Sequence, residues 1–156
     1  MRTDTAQPSD RDLLSRAVKV VNNASIGVMT TVDEHGQPHA RWMTSVARDG
    51  IKSLITLTAL STRKVAQLEA DPRVCWMFTA PDYDDVVTLY GSVSIERDPI
   101  TGMQAWDRLA RAAQTYAFGS LRGEDPQLAT LITQVRRVEI ISPHLEIYAP
   151  RDLGSP

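Results

Sequence analysis

The sequence has 156 residues, 42% hydrophobic and 23% charged, which fits one globular domain and excludes wholesale disorder or a fibrous repeat. Seventeen Lys and Arg against nineteen Asp and Glu leave a formal net charge of −2, which argues against a surface built to grip the phosphate backbone of nucleic acid. The single cysteine, Cys75, allows neither an intrachain disulfide nor a cysteine-based zinc site, and no apolar run approaches the roughly 18 residues of a membrane span.

Residues 1–8 are polar and read as a disordered tail, without the apolar stretch of a signal peptide, so a soluble, cytoplasmic protein is expected. Ser9 then serves as a helix N-cap: Asp10 and Asp12 suit the positive end of the dipole, and Leu14, Ala17, Val18 and Val21 recur at helical spacing up to Asn22 and Asn23. From Ile26 the period becomes two. Ile26, Val28 and Val32 alternate in a strand that ends at the turn Asp33-Glu34-His35-Gly36. A second strand, 37–47, is joined through Arg48-Asp49-Gly50 to a third, 51–59, which predicts an antiparallel meander. A short helix over 62–70, capped by Ser61 and stopped by Asp71-Pro72, precedes a strand over 73–79 and a polar loop over 81–85. A strand over 86–96 carries Gly91 in its middle, and Asp98-Pro99 opens a helix whose apolar stripe is Met103, Trp106, Ala110 and Ala113. After a loop over 117–127 comes a last strand pair, 128–142 and 145–148. Six or seven mostly antiparallel strands with a few short helices point to a mainly β protein, a small β-barrel with helical covers, over residues 9–149, with 150–156 as a C-terminal tail.

The helix at 62–70 has its charges set against its dipole, with Arg63 and Lys64 in the first turn and Glu69 and Asp71 at the end. Each such placement costs about 0.3–1 kcal/mol, and it is tolerable where an anion sits at the helix start among free N–H groups, the Ser61 and Thr62 hydroxyls and the two cations. A solvated basic turn is the plainer alternative. In the second strand, alternation places His39, Arg41, Met43 and Ser45 on one face and Ala40, Trp42, Thr44 and Val46 on the other. A mid-strand arginine among apolar neighbours needs an anion or a route to water. Hairpin pairing with the third strand would bring Arg41 near Thr56 and Thr58, so that Arg41, Arg63 and Lys64 face one pocket.

The ordered set of N-terminal helix, TTVDEHGQPHARWM, LITLTALSTRKVAQLEADPRVCWMF and LYGSVSIERD resembles the pyridoxamine 5′-phosphate oxidase-like split β-barrel proteins, and among them the general stress protein branch. Its best marker is a strand followed by Ser/Thr-x-Lys on a helix that ends in Asp-Pro; the resemblance spans residues 10–149. It implies an FMN-binding split barrel in which Arg41, Arg63 and Lys64 hold the FMN phosphate, with Ser61 or Thr62 nearby. It also implies that Trp42, Met43, Thr44, Leu57 and Thr58 line the isoalloxazine, and that the flavin lies between the subunits of a homodimer. The activity implied is that of a flavoprotein oxidoreductase whose cofactor carries hydride or electron transfer for an unidentified small-molecule substrate. Two departures stand out. Where the stress-protein branch often has an aromatic-Phe-Pro run, this chain offers Tyr116 or Phe118, and the Arg- and His-bearing C-terminal segment with which true pyridoxamine phosphate oxidases grip substrate has no counterpart. Vitamin B6 oxidation is therefore not expected.

The run Val74-Cys75-Trp76-Met77-Phe78 is apolar on both faces, so one face should fill the barrel and the other needs a cover, either a second subunit or the Trp106 helix. His35, His39 and His144 lack metal-ligand spacing, Asp82, Asp84 and Asp85 lack an EF-hand pattern, and Cys75 reads as an inert core thiol. No acid, base or nucleophile of the protein stands out. Three alternatives remain open: a deazaflavin-dependent reductase of the same fold, a non-enzymatic flavin-binding stress or sensor protein, and an interaction module without cofactor.

Overall fold

Helix α1 (Asp10–Ala24) opens the computed structural model, which describes residues 8–112, 125–145 and 147–154. Its cap is as expected, with the Asp12 N–H donating to Ser9 Oγ at 3.2 Å and acids in the first turn. The buried stripe is Leu13, Ala17, Val20 and Val21, with Leu14 and Val18 on its flank, and the helix ends on Ser25 in the left-handed conformation.

Strands β1 (Ile26–Val32), β2 (Pro38–Thr44), β3 (Val46–Arg48), β4 (Ser53–Ala59), β5 (Arg73–Thr79), β6 (Val86–Glu96), β7 (Leu128–Ser142) and β8 (Ile147–Asp152) form one antiparallel sheet. The chain belongs to the mainly β class expected, with eight strands among the described residues where six or seven were expected. The hydrogen-bonded order is β2-β1-β5-β6-β7-β4-β3, and β8 pairs with the second half of β7. The two ends of that path, β2 and β3, are separated in sequence by Ser45 alone. Adjacent Cα atoms lie about 3.8 Å apart, so the sheet must curl until its two edges nearly meet. The Thr56 hydroxyl of β4 donates to the Thr44 carbonyl of β2 across that junction. The curled sheet is therefore a consequence of connectivity.

This arrangement corrects the expected meander. The segment 37–47 is not one strand paired to the third strand: its first part pairs with β1, and only Val46–Arg48 pairs with β4. On β1 the face that alternation marked as apolar is not the buried one: Gly27, Met29 and Thr31 are buried while Ile26, Val28 and Val32 are half-exposed. The C-terminal segment read as tail is sheet as far as Asp152, and Arg151 pairs with Asp10 at 2.6 Å.

Helix α2 (Arg63–Ala70) packs Val65 and Leu68 inward beside β1, and α3 (Pro99–Ala112) covers β4 and β7. On α3 the buried residues are Gly102, Ala105 and Leu109, with Trp106 at the edge, while Met103 and Ala110 are exposed; the stripe is rotated by about one residue from expectation, and Ala113 lies outside the described residues. The main core gathers Met29, Leu54, Trp76, Phe78, Leu89, Leu131 and Val138 beneath α1, and a smaller one joins Ile55, Leu57 and Leu128 to α3. Among the described residues no helix is long and apolar enough to cross a membrane.

Candidate functional site

Alternation on β2 turns His39, Arg41 and Met43 toward the inside of the curl and leaves the Trp42 ring 79% exposed on the outside. Arg41 lies opposite Met29 of β1. From there its Nη1 donates to Thr31 Oγ1 at 2.7 Å and to the Met29 carbonyl at 3.3 Å, and its Nη2 donates to Gln67 Oε1 of α2 at 3.3 Å. Arg41 therefore reaches the body of α2 across β1, close enough to feel the charges of Arg63 and Lys64, and not through the expected pairing with β4.

The other side of the site follows from the turn between β4 and α2. Thr62, not Ser61, is the N-cap of α2, and its hydroxyl donates to the Ala59 carbonyl at 2.9 Å instead of capping the helix. The N–H groups of Arg63 and Lys64 are left without an acceptor among the described residues, the condition in which a helix start attracts an anion. A helical side chain leans toward the N-terminus, and Lys64 accordingly folds back so that Nζ donates to Thr58 Oγ1 of β4 at 3.1 Å. Thr58 and Thr62 hydroxyls lie 3.3 Å apart. Arg41, Thr58, Thr62, Arg63 and Lys64 thus gather around the α2 start, with Arg63 exposed and Arg41 and Lys64 half-buried.

Electrostatically this group is under tension. Partial burial lowers the affinity of Arg41 and Lys64 for their protons, and neighbouring positive charge adds to it, from Arg63 on Arg41 and from Arg41 on Lys64. Among the described residues none of the three cations is paired with a carboxylate. The other half-buried cations among the described residues, Arg16, Arg137 and Arg151, each have a carboxylate partner, whereas the remaining unpaired ones, such as Arg48 and Lys52, are exposed.

The remaining expected site residues divide. Met43 packs against the main core on the Arg41 face, Thr44 is buried at the β2–β4 junction, and Ser61 is exposed beside the N-cap. Leu57 points away, into the small core under α3. Tyr116 and Phe118 lie outside the described residues. Sequence reasoning missed Thr31 and Gln67; Gln67 follows Lys64 by three residues and so shares its helix face, which is the one local signal available. His39 is engaged elsewhere, its Nε2 lying 2.8 Å from Asp33 Oδ2 in the β1–β2 turn. Among the described residues no cluster of His, Cys, Asp and Glu could hold a metal ion, and partial burial, with the Glu139 charge adding to it, pushes the Cys75 thiol pKa up.

The sequence profile named pyridoxamine 5′-phosphate oxidase matches residues 13–141. No curated protein matches significantly. Among solved structures, a protein from Clostridium acetobutylicum related to general stress protein 26 of Bacillus subtilis superimposes with a TM-score of 0.75 at 20% identity, covering 93% of this chain and 97% of that one. General stress protein 26 from Bacillus anthracis gives 0.70 at 20% identity, with 89% and 98% covered. A protein described as an F420 reductase gives 0.66 at 16% identity, with 77% and 93% covered.

Proposed function

We propose that this chain, which belongs to the pyridoxamine 5′-phosphate oxidase family, binds FMN with its phosphate at the start of α2 and serves as a flavin-dependent redox protein. The observation that carries this reading is the meeting of half-buried, unpaired Arg41 and Lys64 at a helix start whose N–H groups are uncapped. Cations held partly out of water without a counter-charge are costly, and a phosphate monoester supplies both the charge and the acceptors that they lack. The residues present therefore fit the group. Arg41 and Lys64 would grip the phosphate, Arg63 would add charge at the rim, and Thr58 and Thr62 would offer hydroxyls. When bound, the flavin supplies hydride or electron transfer, and the chain's own part is to bind and orient it.

A second copy of the chain is the proposed cover for the outer sheet face. Trp42, Val28 and Met77 form one row across β2, β1 and β5, and Tyr90, Ile141 and Tyr148 continue the apolar surface over β6, β7 and β8. Helix α3 packs on β4 and β7, so it does not provide this cover. The exposed Trp42 ring would then lie at the subunit boundary, where the partner can complete the flavin site.

Changing Arg63 and Lys64 together to Ala tests the phosphate assignment. FMN affinity is expected to fall by at least about tenfold, or 1.4 kcal/mol, with little change for riboflavin, which has no phosphate. Equal weakening of both ligands would show the assignment to be wrong. The likeness to an F420 reductase favours a deazaflavin as the second reading, and parallel titrations with F420 and FMN, followed by absorbance, distinguish the two. Anaerobic addition of NAD(P)H to the flavin-loaded protein separates an enzyme from a sensor: reduction supports the former, and an unchanged oxidised spectrum the latter.

A further inference from the structure

The guanidinium of Arg41 is held in a fork on one side only. Thr31 Oγ1 and Gln67 Oε1 lie 2.7 Å apart, and each accepts from a different terminal nitrogen of Arg41. The second acceptor of Nη1 is the Met29 carbonyl, at 3.3 Å. The pattern of donors explains the arrangement. A threonine hydroxyl has one proton, and that of Thr31 is given to Gln67, so its lone pair can accept from Arg41. The amide oxygen of Gln67 in turn accepts both the Thr31 hydroxyl and Arg41 Nη2. Of the five guanidinium N–H groups, this leaves Nε–H and one Nη2–H without an acceptor among the described residues, and these two share one edge of the planar group. Such an edge presents two parallel donors, the arrangement that matches two oxygens of a phosphate.

We infer that Gln67 and Thr31 are positioning residues that hold Arg41 by neutral acceptors, so that its free Nε/Nη2 edge is presented to the phosphate of the cofactor. The inference rests on the phosphate reading above and adds to it the residues that make Arg41 competent. The choice of neutral partners is the chemical core of the idea. Glutamate at position 67 would reach Arg41 equally well, but its charge would satisfy the guanidinium internally and repel the incoming anion. Glutamine and threonine fix the orientation without supplying the charge. Thr31 is fully buried on β1 and Gln67 sits on α2, so the arrangement also ties the helix carrying Lys64 to the strand that pairs with β2. Removing either acceptor lets the guanidinium rotate, a loss felt by a ligand with a phosphate and not by one without.

The test compares FMN and riboflavin affinities, by fluorescence titration, for the parent, Gln67→Glu, Thr31→Val and Thr31→Ser. Gln67→Glu is expected to weaken FMN by at least about tenfold, and Thr31→Val by about threefold or more, with riboflavin within about twofold of the parent in each. Thr31→Ser keeps the hydroxyl and is expected to bind FMN as the parent does. A second readout needs no flavin: the Arg41 Nε–H NMR resonance should shift on adding inorganic phosphate to the parent and fail to shift in Gln67→Glu. Parent-like FMN affinity in Gln67→Glu, alongside a parent that prefers FMN to riboflavin, overturns the positioning role alone. A parent that binds both flavins equally overturns the phosphate reading and this inference with it. Should Gln67→Glu not fold, the contrast between Thr31→Val and Thr31→Ser decides, and equal FMN affinity for those two counts against the inference.

Discussion

Arg41, Arg63 and Lys64 announced themselves in the sequence because each breaks a local rule, a cation in an apolar strand or cations at the positive end of a helix. Their partners did not. Thr31 and Gln67 are ordinary residues in ordinary elements, and their meeting depends on α2 packing against β1, 36 positions apart in the chain. His39 shows the converse: adjacency to Arg41 on one strand face suggested nothing firm, and the structure turns it to Asp33 instead. The His39 ring and the N–H groups of Gln37 and His35 hold Asp33 down to about 2. A carboxylate whose pKa is lowered by folding stabilises the fold above its unfolded value, about 3.9, and that contribution is lost as pH falls toward the folded value. Asp33→Asn is therefore expected to lower the denaturant midpoint at neutral pH, with the gap to the parent closing between about pH 4 and pH 2. A gap that keeps its full size down to the lower end contradicts the stated role of Asp33.

At the scale of elements, helix and strand positions were legible from capping and periodicity, and strand faces were not. On β1 both faces carry apolar side chains, so a period of two marks a strand without saying which side is the core. The rotated stripe of α3 has a related cause, since Met103 and Ile100 are apolar yet stand 51% and 70% exposed. The junction at Ser45 was invisible because no glycine, proline or turn dipeptide interrupts residues 39–47, and only the curl of the sheet splits the segment. Gly91 is the clearest case of a residue whose reason is an element contact. The ladder between β6 and β7 shifts register next to it, and a Cβ built on it would stand 2.0 Å from the Gln134 carbonyl oxygen. Gly91→Ala is expected to cost about 1–3 kcal/mol or more, because backbone must move. Equilibrium urea unfolding measures this, and a variant as stable as the parent contradicts the close approach.

For the whole molecule, mainly β architecture and a small barrel-like sheet were expected from counting strands and turns, whereas the strand order and the half-barrel curl required the structure. Half of the argument for a second copy was also in the sequence, in the doubly apolar run 74–78. There Val74, Trp76 and Phe78 are buried, and Met77 remains 43% exposed on the face proposed to meet the partner. Met77→Asp is expected to shift the protein from dimer to monomer in sedimentation velocity at micromolar concentration. A parent that sediments as a monomer contradicts the proposed interface.

The central claim, that the unpaired cations at the start of α2 serve a flavin phosphate, is met most directly by the visible spectrum of FMN mixed with the parent protein, with riboflavin alongside. The account predicts a saturable perturbation of the FMN bands at concentrations where riboflavin gives at most about a tenth of the binding. An FMN spectrum left unchanged by excess protein, or an identical response to the two flavins, contradicts it.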